Sequence, residues 1–119
     1  MSVPPMTPVL IARTMTRTLP NGVTSQCSIS FGTPALYPEL SSATVTMYYC
    51  PFQLSGFQDN NVYISAGEDP LEALILALCM AGTRLHTSLA APQLNEWDAS
   101  TNFGFPVIPD YVLQLANQN

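Results

Sequence analysis

The alternation of apolar and polar positions divides the chain into a strand-rich first half, one helix, and a closing segment without a period. Pro8 to Thr18 is rich in Val, Ile and Thr, whose Cβ branching favours extended backbone, and is expected to be a strand. Leu19-Pro20-Asn21-Gly22 follows, and Asn-Gly tolerates the positive φ angles of a tight turn, so a hairpin is predicted. In its second arm Cys27, Ile29 and Phe31 alternate with Gln26, Ser28 and Ser30, the period of a sheet with one dry and one wet face. Gly32 to Ser42 contains Pro34 and Pro38 and is read as a loop. Thr44 to Tyr49 is read as a third strand with Val45, Met47 and Tyr49 on one face. Beyond Pro51 the apolar residues Phe52 and Leu54 switch parity. Proline has no N–H to give to a ladder, so Cys50-Pro51 is expected at a bulge or an edge. Ser55 to Asn61 turns the chain, and Val62 to Ala66 is a short fourth strand.

The helix carries the strongest local signals. Asp69 is a capping residue, Pro70 fits the first helical position, and Glu72 stands where a capping box places an acid. The helix is predicted to run to about Leu89 and must end before Pro92. At helical spacing Leu71, Leu74, Ile75, Leu78, Leu85 and Leu89 form one stripe, expected to pack on the dry face of the sheet. Leu76 and Met80 point the other way, so the helix is apolar on two sides. Its second side is expected to be covered by the C-terminal segment with Trp97, Phe103, Phe105 and Val107, or by a partner chain.

A length of 119 residues fits a single α+β domain spanning 1–119: a four-stranded, mainly antiparallel sheet, one long helix and an irregular C-terminal segment. Charge narrows the partners. There is no Lys, only three Arg, and the net charge is −5. Nucleic-acid binding rests on cations that neutralise phosphates, and anionic membrane surfaces attract basic segments, so neither partner is expected. A basic protein partner is the natural complement. The N-terminus lacks a basic start, and its apolar run Val9-Leu10-Ile11-Ala12 is too short for a secretory signal. Cys27, Cys50 and Cys79 are odd in number and widely spaced, which suits reduced thiols and a cytoplasmic location.

The chemistry-bearing residues do not assemble into a reaction. His86 is the sole histidine, with no Gly-x-Ser-x-Gly elbow and no catalytic-cysteine signature. The cysteines lack the close pairing of zinc sites, so no metal and no cofactor is expected, and the chain is read as non-enzymatic. Asp59, Glu68, Asp69, Glu72, Glu96 and Asp98 gather six of the eight acids. Asp69 has a capping role. Asp59, Glu68, Glu72, Glu96 and Asp98, with Trp97 between the last two, are the candidate partner-binding residues, because aromatics among acids are common interface anchors.

Tyr49-Cys50-Pro51-Phe52-Gln53-Leu54-Ser55-Gly56-Phe57, then Asp69-Pro70-Leu71-Glu72-Ala73-Leu74, then Asn102-Phe103-Gly104-Phe105-Pro106 together resemble a family of small bacterial domains of unknown function. That family shows a Cys-Pro-Phe-x-(Ile/Leu)-x-Gly strand, an Asp-capped Ala/Leu helix and a closing Gly-Phe-Pro. The resemblance covers Tyr49 to Pro106 and implies a fold but no catalytic residues. Gly56, Gly67 and Asp69 match as structural positions. On these grounds the chain is expected to be a protein-binding inhibitor, an immunity protein masking the active site of a basic toxin. A self-associating module, a homodimer through Leu76 and Met80, is the alternative.

Overall fold

A computed structural model describes residues 4–57, 60–88 and 91–107. The architecture is α+β: an antiparallel sheet carries one long helix and an irregular C-terminal segment on the same face. The strands are β1 (Val9–Thr18), β2 (Thr24–Gly32), β3 (Ala35–Leu36), β4 (Tyr48–Ser55) and β5 (Val62–Gly67), and the helix α1 is Pro70–Thr87. β1 and β2 form the predicted hairpin, closed by hydrogen bonds from Leu19 N to Val23 O and from Gly22 N to Leu19 O, with Gly22 at φ 86°. β4 pairs with β5 on one side and with β2 and β3, end to end, on the other. The sheet is therefore four tracks wide although it contains five strands.

That end-to-end arrangement corrects the reading of Pro51. β4 does not stop at Tyr49. It starts at Tyr48 and runs through the proline to Ser55, in unbroken register with β5. On the other side Phe52 pairs with Phe31 and Tyr49 with Ala35, which leaves Cys50 and Pro51 opposite the crossing from β2 to β3. A residue without an N–H is accommodated where the neighbouring ladder is interrupted. The loop expected over 32–42 thus contributes β3 and a 3-10 turn at Pro38–Leu40, whereas residues 44–47, expected in a strand, lie outside it and expose Val45.

The helix begins as its sequence requires. Glu72 N donates to Asp69 Oδ1 at 2.7 Å, and the Glu72 carboxylate accepts from Glu68 N at 3.0 Å. The face it turns to the sheet differs from the leucine stripe. Ala73, Ala77, Ala81 and Leu85 are fully buried, whereas Leu71 is 65% and Ile75 46% exposed. Leu74 and Leu78 flank the core half-buried, and Leu89 lies outside the described residues. The reason is volume. β4 and β5 already present Phe52, Leu54 and Tyr63 on this face, so close packing leaves room only for small side chains opposite.

α1 lies over β4 and β5. The other half of the dry face, Met15 of β1 with Cys27, Ile29 and Phe31 of β2, is closed by Phe103 and Phe105, which join the same buried cluster. Phe31 and Phe105 rings sit 6.1 Å apart. Those two aromatics are core. The three cysteines are free and buried, and burial raises the Cys50 thiol to about 11.

Candidate partner-binding cleft

After α1 the chain returns as a strap along the outer edge of β1. Leu94 bridges Arg17, Asn95 N donates to Thr16 O at 3.1 Å, and Thr16 N and Oγ1 both donate to the Glu96 carboxylate. An open strand edge carries unpaired backbone groups, and here the strap pairs part of them. Trp97 then turns inward. Its ring is half-buried and takes the Arg13 guanidinium 3.8 Å from its centroid, while the Phe105 ring lies 4.5 Å from the same group. Arg13 also donates from Nη1 to Phe103 O at 2.6 Å. Burial lowers the pKa of this arginine from its ordinary value. The cation belongs to the dry side of β1 because the strap supplies two aromatic faces and a carbonyl for it.

The turn at Ala99–Gly104 holds the strap in place. Asp98 caps it by accepting from Ser100 N and Ser100 Oγ on one oxygen, Oδ1. Asn102 (φ 53°), Phe103 (φ 54°) and Gly104 (φ 76°) then occupy the left-handed region in succession. Asparagine tolerates this conformation, but phenylalanine does so only under constraint from its surroundings. The constraint is visible. Phe103 is fully buried, and Asn102 Nδ2 donates to the carbonyls of Phe105 and Pro106 at 2.9 and 3.2 Å. Those two acceptors fix the amide orientation, so Asn102 Oδ1 faces His86 Nε2 at 2.7 Å. An amide oxygen only accepts, so Nε2 carries the proton and, in the neutral ring, Nδ1 the lone pair. Gly82 makes the approach possible, since a Cβ there would fall 2.8 Å from Asn102 Nδ2.

Between the strap and the end of α1 lies a cleft of about 340 Å³, walled by His86, Ser88, Leu94, Trp97, Asp98 and Phe103 among others. Two of the sequence candidates, Trp97 and Asp98, meet here. Glu96 is adjacent in the strap but is engaged by Thr16. Glu68 and Glu72 stand elsewhere: Gly67 pairs with Tyr48 at the far end of β4, on the β5 side, whereas Thr16 lies on β1 toward the other end of the sheet. The acids therefore divide between two places. Asp59 lies outside the described residues. His86 and Asn102 were not singled out as partner residues by the sequence. An Asn-Phe-Gly run, with two residues tolerant of positive φ around an aromatic, was the available signal.

The two strap acids have lowered pKa values. Hydrogen bonds from the Thr16 side chain and backbone do this for Glu96, and those of Ser100, the side chain first, do so for Asp98. A carboxylate whose folded-state pKa is depressed adds stability above its unfolded pKa, and this is lost as pH falls through the folded value. Urea midpoints are thus expected to fall as pH drops below the ordinary carboxylate range, with the Glu96→Gln variant showing a shallower fall. An equal pH slope in that variant refutes the assignment.

A second, larger groove of about 470 Å³ is lined by Leu76, Cys79, Met80, Pro106 and Val107, with Ser65, Ala66, Thr83 and Asn102. It has no carboxylate or cation in its lining. Among the described residues no group of three or more His, Cys, Asp or Glu is placed to hold a metal ion. No helix among them is long and apolar enough to cross a membrane.

With this geometry in place, the comparisons define a class: residues 11–107 match the family model described as a domain of unknown function, DUF6968. The chain belongs to that family. No curated protein and no solved structure matches it.

Proposed function

We propose that this domain is a non-catalytic, protein-binding inhibitor, of the kind by which a bacterial immunity protein neutralises a toxin by masking its active site. The observation that carries the reading is the meeting of Trp97 and Asp98 in one cleft, an aromatic anchor beside an acid on a rigidly held strap. The net charge of −5 and the absence of Lys favour a basic partner, which opposite fields would steer toward it. A cytoplasmic setting accords with three free, buried thiols.

The test is affinity capture with the tagged full chain, followed by reconstitution of the purified partner and assay of its activity. The expected result is one stoichiometric basic partner, inhibited by the domain, whose binding weakens with salt and with Trp97→Ala. Binding to a partner that is indifferent to Trp97 and to salt overturns the reading. A chain that captures only itself and runs at twice its mass replaces it with self-association through Leu76 and Met80, which the groove beside them favours.

A further inference from the structure

Resting on that reading, we infer that the cleft between the end of α1 and the strap accepts a single basic side chain, arginine or lysine, projecting from the partner. Three kinds of group converge on it. Asp98 spends Oδ1 on Ser100 and leaves Oδ2 without a hydrogen-bond partner among the described residues. The last turn of α1 ends at the cleft. There Arg84 O accepts from Thr87 Oγ1 and Leu85 O from Ser88 N, while the carbonyls of His86 and Thr87 have no partner among the described residues. A helix C-terminus carries partial negative charge and favours cations. The remaining wall is aromatic and apolar, Trp97, Phe103 and Leu94, which suits an alkyl stem and lets a cation lie against a ring.

The neighbouring charges set the balance. Arg13 already occupies one face of the indole, and Arg84 leans on Tyr63 at 4.1 Å, so each of these cations is committed to a ring. Glu96 stands beside the cleft with its carboxylate on Thr16. Neutral His86 gives its Nε2 proton to Asn102 and keeps a lone pair at Nδ1. The free acceptors around the cavity are thus a carboxylate oxygen, two carbonyls and an imidazole nitrogen. An uncharged guest would leave the carboxylate uncompensated. The arginine fork reaches several acceptors at once, whereas an ammonium meets them as a point charge.

Trp97 is the only tryptophan, so its fluorescence reports on this cleft alone. N-acetyl-arginine amide, N-acetyl-lysine amide and N-acetyl-citrulline amide are titrated into the full chain, with ¹H–¹⁵N spectra followed at His86, Ser88 and Asp98. The expected result is saturable binding of the cationic probes, none by citrulline, weakening with salt, and loss of affinity of about tenfold or more in Asp98→Asn. Asparagine keeps the oxygen that caps the turn, so the variant removes charge and not the cap. Binding of citrulline equal to arginine, no saturable binding of either cation, or salt-independent binding overturns the inference. These failures are distinguishable from failure of the inhibitor reading. A captured partner that needs Trp97 but not Asp98 refutes only the basic side chain. Saturable cation binding without a partner leaves the site and removes the inhibitor.

Discussion

Phe103→Ala is expected to destabilise the domain by about 3–5 kcal/mol, the usual cost of removing a buried aromatic ring. The ring is fully buried, meets the His86 ring edge-on at 4.9 Å between centroids, and belongs to the same cluster as Met15, Phe31 and Phe105. Its loss removes the transfer free energy of the side chain and leaves a void under a turn that cannot readily collapse. Asn102 remains tied to the carbonyls of Phe105 and Pro106, and Arg13 still reaches the carbonyl of residue 103. Nor does alanine relieve the left-handed backbone, since any L side chain is strained at φ 54°. Chemical denaturation measures the loss, and a red shift of Trp97 emission in the native baseline would show the strap loosening beside it. A cost below about 1 kcal/mol, the range of an ordinary surface change, would remove the strap from the core.

The second large effect reverses the order that the leucine pattern suggests. Ala77→Leu is expected to cost about 1–3 kcal/mol, because the added methylenes have no space between α1 and the sheet. Leu71→Ala is expected to change stability by no more than about 0.5 kcal/mol, since that side chain is 65% exposed. Paired denaturation curves decide the matter. If the leucine variant is the costly one and Ala77→Leu is silent, the helix presents its leucine stripe to the sheet after all.

These two substitutions mark where local pattern stops being informative. Periodicity tells that α1 has apolar positions on more than one side, but not which side meets β4 and β5. Leucine is the stronger hydrophobe residue by residue. The choice of alanine depends on Phe52, Leu54 and Tyr63, which are distant in sequence and already fill the space. Pro51 is a similar case: its position looks like a strand end until β2 and β3 are seen to share one track beside it. The candidate site was legible in part. Glu96-Trp97-Asp98 stood out as an aromatic between acids, yet only the docked strap shows that Glu96 is spent on Thr16 while Trp97 and Asp98 face a cleft.

The sequence by itself determined whatever short-range chemistry decides. Asn21-Gly22 closes the hairpin, Cys27, Ile29 and Phe31 choose the dry face, and Asp69, Pro70 and Glu72 start the helix. Each is settled within a few residues, by φ preferences, a two-residue period or a capping hydrogen bond. The tertiary structure decided what depends on steric and electrostatic matching between distant segments: the alanine seam of α1, the division of the acids, and the placing of Arg13 of β1 between Trp97 and Phe105. An arginine in an otherwise ordinary strand gives no local sign that it will be covered. Only the return of the strap across the sheet brings the rings and the carbonyl that make its burial favourable.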